Sequence, residues 1–221
     1  MRIEEAKYIG NLVKRFIDTK EGRLLNIGSS TEEYRKITSP YIDAEIFAPL
    51  NNLNIKITHF DLKNEKGVDI AGDIFDSKIQ NTLEVLKPNL IMACNLLEHL
   101  EQDMRKEFPQ IINRLFDKEG ILIITVPYSY PLHLDPIDTF YRPSPKELSS
   151  LFANYAVLDS TIINSSTFFD EFLKYNLFYK LKTMIRIFTP FYKFKVWLCL
   201  MHRLMWLFRP YKITCVALKK I

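Results

Sequence analysis

Two carboxylates stand where a ribose could be held. Asp61 closes the apolar run Ile55-Lys-Ile-Thr-His-Phe-Asp61, and Asp73 closes Gly67-Val-Asp-Ile-Ala-Gly-Asp73. Ahead of them lies Arg23-Leu-Leu-Asn-Ile-Gly28-Ser-Ser30, an apolar stretch that ends in glycine. A glycine at the end of a buried strand lets backbone approach a ligand closely, and a carboxylate ending the next strand can accept both hydroxyls of a ribose. Singly, Gly28 reads equally well as a turn, Asp61 as a strand-ending turn former and Asp73 as a solvated loop acid. Their order and their positions at strand ends favour a nucleoside ligand, with Asp73 on the side of an adenine amino group. The run lacks the two further glycines that seat a pyrophosphate, and no Gly-Lys-Ser/Thr phosphate loop is present; a ligand without a pyrophosphate is favoured.

A second set of groups could move a proton. His133 lies in a Pro/Tyr/Asp-rich stretch, with Asp135 able to orient it, and is the stronger candidate base. His99 reads equally as a second base or as a helix-start histidine bonded to backbone. Tyr128, Tyr130, Asp138, Tyr141 and Arg142 would line an acceptor pocket. The Asp and His residues lack metal-ligand spacing, so no metal is expected. Cys94, inside an apolar run, reads as core, and an odd count of three cysteines gives no disulfide framework.

These residues need a scaffold of strand ends. Ile9, Val13, Phe16 and Ile17 recur at helical spacing, which predicts an amphipathic helix over about residues 3–18. Residues 24–27, 55–61, 88–95 and 120–127 read as strands, with a short strand or extended loop within 67–73. Ser29 to Glu32 and Ser30 to Glu33 match capping-box spacing and predict a helix directly after Gly28. Helical stretches follow near residues 79–86 and around Ile111, Ile112, Leu115 and Phe116, with a kink or restart at Pro109. Strands alternating with helices predict parallel βαβ units and a doubly wound α/β sheet, whose ligands bind beyond the carboxyl ends of the strands. Gly28, Asp61, Asn95 and Pro127 fall at those ends.

Composition bounds the rest. A chain of 221 residues, 48% hydrophobic, buries a full core and excludes a disordered tail. The net charge of +4 hides a division: from Asp170 onward eleven Lys and Arg face two acids, whereas residues 1–169 carry 19 against 24. The first ten residues lack the basic and apolar regions of a secretion signal, which predicts a cytoplasmic protein.

On these motifs the chain resembles the class I S-adenosylmethionine-dependent methyltransferases over roughly residues 22–160. Leu24-Leu-Asn-Ile-Gly28 is similar to the glycine-bearing first motif of that family, Asp61 to its ribose carboxylate, Asp73 to its adenine-side acid and Asn95-Leu-Leu-Glu-His99 to the loop after its fourth strand. The blocks Asn-Leu-Leu-Glu-His and Val126-Pro-Tyr-Ser-Tyr-Pro-Leu-His-Leu-Asp-Pro-Ile-Asp-Thr-Phe-Tyr-Arg-Pro-Ser-Pro145 are the more specific part of the likeness, closest to small bacterial enzymes. The resemblance implies a mostly parallel, seven-stranded Rossmann-like sheet whose last two antiparallel strands would be Val157–Ile163 and Ile213–Leu218. It also implies S-adenosylmethionine as cofactor, held by Asn26, Gly28, Ser29, Asp61, Leu62, Asp73, Ile74 and Asn95. Two departures stand out: Asn26 replaces the family's usual acid and Ser30 a further glycine. Residues 40–54 add a helix or loop before the second strand.

The C-terminal third adds an unusual appendage. Phe168 to Arg209 is dense in aromatic and aliphatic residues punctuated by lysine and arginine; its most apolar run, Val196 to Phe208, is too short and too charged to cross a bilayer. It reads as a helical cap over the acceptor site or a dimer interface, or as a peripheral membrane-surface element on the inner membrane face. Nucleic-acid binding is not favoured. The division predicted is a cofactor-binding core over 1–165, the appendage over 166–209 and a final core strand over 210–221. The leading reading is methyl transfer to oxygen or nitrogen of a sugar, a lipid-linked glycan or a related small metabolite. The alternatives are a non-catalytic scaffold that kept the fold, motivated by Asn26 and Ser30, and a small RNA methyltransferase.

Overall fold

A computed structural model describes residues 1–17, 22–53, 55–116, 119–133 and 137–221. The apolar runs become β1 (Arg23–Ile27), β2 (Lys56–Asp61), β3 (Ile70–Ala71), β4 (Leu90–Cys94), β5 (Ile121–Ser129), β6 (Tyr155–Asn164) and β7 (Lys212–Lys220). They form one seven-stranded sheet in the order β3-β2-β1-β4-β5-β7-β6. Strands β1 to β5 pair in parallel, and β7 runs antiparallel between β5 and β6. The chain leaves β1 toward β2 and β3, then returns to β4 on β1's other side. That reversal opens a crevice at the strand ends between β1 and β4, where ligands of doubly wound sheets bind.

Both faces of the central strands are apolar because helices cover both. The helices are α1 (Ile3–Phe16), α2 (Ala48–Asn51), α3 (Ser77–Glu84), α4 (Gln102–Leu115), α5 (Pro145–Ser150), α6 (Phe168–Lys174), α7 (Leu177–Ile187) and α8 (Phe194–Leu204). Leu83 of α3, Phe108, Ile111, Ile112 and Leu115 of α4 and Leu148 of α5 pack on the face carrying Leu25, Ile27, Ile91, Ala93, Leu122 and Ile124. Ala6, Ile9, Leu12 and Val13 of α1, with Ile42, Ile46, Phe47 and Leu50, cover the face carrying Leu24, Met92, Ile123 and Ala217. Within the segment 40–54, anticipated as an added helix or loop, the described residues 40–53 are largely helical: a wide turn at Asp43–Phe47 runs into α2.

Two local expectations are corrected. No serine of the β1 turn caps the next helix; Thr31 Oγ1 accepts the Tyr34 amide at 3.1 Å, and a wide turn follows over Tyr34–Thr38. The Ser30 amide is taken instead by Asp61, so the capping pattern lost to a tertiary partner. Pro109 neither restarts nor ends its helix, and α4 runs through it. An interior proline costs about 3 kcal/mol, but four fully buried apolar residues on the same helix each return about 1.5–3 kcal/mol, and packing wins.

Candidate functional site

The crevice is framed by three turns. Gly28 adopts a φ of +70° as the chain leaves β1, and a Cβ there would stand 3.4 Å from Leu96 of the loop after β4. The amides of Gly28 and Ser29 both donate to the Phe60 carbonyl, at 2.9 and 3.0 Å, which pins the glycine turn to β2. Asp61 ends β2 with Oδ2 accepting the Ser30 amide at 2.7 Å and Oδ1 accepting that of Lys63 at 3.2 Å. Ser30 holds a φ of +55°, a conformation costly for a residue with a Cβ and open to glycine, the residue the resemblance leads one to expect at this position. Arg35, buried, donates to the carbonyls of Ser29, Ser30 and Gly67 at 2.9, 2.5 and 2.6 Å, tying this turn to the loop between β2 and β3.

Of the other cofactor-side residues, Asp73 lies just past β3, its Oδ1 accepting the Phe75 amide at 3.0 Å. Beside these two acids Leu62 is exposed and Ile74 buried. Asn26, buried in β1, faces His59 across the β1–β2 register, its Nδ2 3.2 Å from His59 Nδ1. Asn95 turns the chain out of β4 at a φ of +51°. Its Nδ2 donates at 2.8 Å to Glu5 Oε1, which also accepts from Thr125 Oγ1 at 2.6 Å. Sequence reasoning missed Glu5, a fully buried carboxylate delivered by α1 to the ends of β4 and β5. The signal was available: Glu5 lies one turn before Ile9 on the stripe that also carries Val13 and Phe16.

The acceptor side is built on the loop after β5 and on the turn Leu97–His99. His99 Nδ1 donates to the Ile137 carbonyl at 2.6 Å. His133 packs edge-on against His99 at 5.4 Å between ring centroids and against Tyr130 at 5.9 Å. Asp135 lies outside the described residues. The carboxylate beside His133 is Asp138, with Oδ2 3.1 Å from Nδ1 and accepting the His133 amide at 3.3 Å. Arg142 grips Asp138 with two bonds of 2.6 and 3.0 Å. These two, expected to line the pocket, are spent on each other. Tyr141 lies under the Arg105 guanidinium at 4.4 Å and packs on the core, whereas Tyr128 is partly exposed.

The appendage seals this side. Trp206 Nε1 donates to the Ser129 carbonyl at 3.1 Å, and His202 Nδ1 accepts the Leu132 amide at 2.9 Å. Phe168, Trp206 and Tyr211 form a small core of their own, against which Tyr130 packs. Arg2 closes the corner from α1, over the Tyr211 ring at 4.0 Å and in ion pair with Glu171, which also pairs Arg203. A surface groove of about 630 Å³ lies between Glu4, Asn164 and Lys174 and is lined by none of the predicted residues.

No protein-family model matches the chain, and no curated protein matches it. Solved structures do. A SAM-dependent methyltransferase from Archaeoglobus fulgidus matches over 97% of this chain and 94% of its own, with a TM-score of 0.54 at 15% identity. Coclaurine N-methyltransferase, solved with N-methylheliamine and SAH, matches over 98% of this chain and 71% of its own, with a TM-score of 0.61 at 14% identity. The 1,6-didemethyltoxoflavin-N1-methyltransferase of Burkholderia thailandensis, solved with that substrate and S-adenosylhomocysteine, matches over 99% and 77%, with a TM-score of 0.53 at 12% identity. The strand order and its flanking helices therefore belong to one architecture: this chain has the fold of the class I S-adenosylmethionine-dependent methyltransferases.

Proposed function

We propose that the protein is an S-adenosylmethionine-dependent methyltransferase acting on oxygen or nitrogen of a small acceptor such as a sugar, a lipid-linked glycan or a related metabolite. The observation that carries the reading is Asp61, which ends β2 beside the glycine turn with one bond spent on each carboxylate oxygen. A carboxylate oxygen has two lone-pair directions, so both keep capacity for the ribose hydroxyls. Asp73 and Ile74 are suited to the adenine side, and Asn95 to the methionine end. Chemistry at the methyl group is a displacement at carbon; the protein mainly has to align acceptor, methyl and sulfur, and a base is needed only where the acceptor must lose a proton. His133, between Asp138 and His99, is the group suited to that step. The neighbouring structures act on unlike small molecules, which supports a small acceptor and leaves its class to the appendage.

Calorimetry with S-adenosylmethionine tests the cofactor half. Micromolar binding is expected, weakened at least tenfold, roughly 1.4 kcal/mol or more, by Asp61→Ala. The glycan part of the acceptor reading falls if label from methyl-labelled cofactor never enters cell-envelope glycan fractions while small-molecule pools take it up.

One observation favours a second reading, a binding protein that kept the fold without turnover. Ser30 holds a glycine's conformation and Arg35 ties down the turn around it. Under that reading no heat accompanies the cofactor at any concentration.

A further inference from the structure

Glu98, His99 and His133 come together beyond the ends of β4 and β5. Each offers one ligand atom, and the three atoms lie within 4.8 Å of one another. Glu98 is fully buried, yet neither carboxylate oxygen has a hydrogen-bond partner among the described residues. A buried carboxylate without partners is costly as an ion. The nearest cationic candidate, His99 Nε2, stands 3.8 Å from Glu98 Oε1, too far for a hydrogen bond.

One imidazole is held from behind by a hydrogen bond, and the other stands beside a carboxylate without one. His99 donates through Nδ1 to the Ile137 carbonyl at 2.6 Å, which fixes the tautomer and leaves Nε2 as a lone pair facing Glu98. His133 has Asp138 Oδ2 3.1 Å from Nδ1, and Arg142 holds that carboxylate in place. For His99, an imidazole backed by a carbonyl with its other nitrogen turned toward a bare carboxylate is how metal-ligating histidines are oriented; His133 brings a second ligand atom whose buried Nδ1 has no hydrogen-bond partner among the described residues.

We propose that Glu98, His99 and His133 bind one divalent first-row transition cation. Two imidazoles and one carboxylate suit zinc, cobalt(II), iron(II) or manganese(II) better than the all-oxygen preferences of magnesium and calcium. Three protein ligands leave open positions for water or an oxygen of a bound small molecule. Ligand distances of about 2.0–2.2 Å require the three atoms to draw together by roughly 1 Å, and partly exposed His133 can supply that movement. Sequence spacing hides the set, because His133 lies far along the chain from His99 and only the adjacency of β4 and β5 joins them.

The proposal makes His133 a ligand in place of the base named above whenever the cation is bound, and its test needs no S-adenosylmethionine, so its failure is read apart from that of the methyl-transfer reading. Tag-free, chelator-treated full-length protein is titrated with Mn²⁺, Co²⁺ and Zn²⁺ by calorimetry, with cobalt absorption bands and thermal melting read alongside. At least one cation is expected to bind one to one at micromolar levels and to raise the melting temperature. Glu98→Gln and His133→Gln should each weaken that binding at least about tenfold. Without cation, Glu98→Gln should melt at or above the parent temperature, because it removes an uncompensated buried acid; lost binding then is not lost folding. Should that variant fail to fold, His133→Gln at a partly exposed position carries the test. Absence of one-to-one binding for all three cations up to roughly 100 μM, or equal affinity in the parent and both variants, overturns the proposal.

Discussion

His59 and Asn26 show how a single pair can make a cofactor crevice sensitive to acid. Asn26 Nδ2 faces His59 Nδ1 at 3.2 Å, and an amide NH2 donates only to an unprotonated ring nitrogen. Burial, helped by the Arg35 charge, pushes His59 down from 6.5 to about 4. Between those values the unfolded chain binds more protons than the native one. The stability tied to neutral His59 is therefore complete above about pH 6.5 and lost as pH falls through 4, by about 3 kcal/mol at most. Melting at pH 7 and pH 4.5 should show a smaller loss for His59→Gln than for the parent; equal losses would remove His59 from the account. At this scale the strand-end residues Gly28, Asp61, Asp73 and Asn95 were legible, because their types and order follow the strands. Glu5, Arg35 and the His59 partnership were not: each depends on which strands become neighbours, and in sequence Arg35 is one more charged helix residue. Asp138, expected to line the acceptor pocket, also stands beside His133, a neighbourhood the sequence reading gave to Asp135.

The helices that cover the sheet were legible by periodicity, but their closeness was not. Gly10 of α1 approaches the turn Asp43–Phe47 so tightly that a Cβ would stand 2.2 Å from the Glu45 carbonyl oxygen. Gly10→Ala would gain up to about 1 kcal/mol of helix propensity, against roughly 1–3 kcal/mol or more for forcing two backbones apart. Net destabilisation of about 1–2 kcal/mol is expected in a chemical denaturation curve, and a stabilised variant would refute this packing account. The strand assignments succeeded because continuous apolar runs bounded by turn residues survive any tertiary context. The helix cap after Gly28 and the break at Pro109 failed because both were local rules, set aside by Asp61 and by the buried face of α4.

At the scale of the molecule, charge and exposed apolar surface are concentrated together. Neither α7 nor α8 buries a residue, and Phe178, Phe188, Phe191 and Phe194 stand exposed beside Lys180, Lys182, Lys193 and Lys195. Among the described residues no helix is long and apolar enough to cross a membrane. Trp197 Nε1 donates to the Ile187 carbonyl at 2.9 Å, joining the two helices into one surface. Such a surface suits the headgroup boundary of an anionic bilayer, at about 1 kcal/mol per basic residue. The full-length chain should float with vesicles containing phosphatidylserine, and Lys180→Glu with Lys182→Glu should cut the floated fraction several-fold; equal recovery on neutral vesicles would argue against the electrostatic part. The charge asymmetry was legible in composition, while the anchoring of the region through Trp206, His202 and Glu171 was not, since these residues meet Ser129, Leu132 and Arg2, all distant in sequence. That meeting orders events during synthesis. Glu5 bonds to Asn95 and Thr125, Glu4 to Ser165, and Arg2 to Glu171, so the first turn of α1 gains its full set of partners only once residues 165–171 have been translated. Late closure of such distant pairs is slow, and a nascent polypeptide stalled before residue 165 would be a natural client for chaperones.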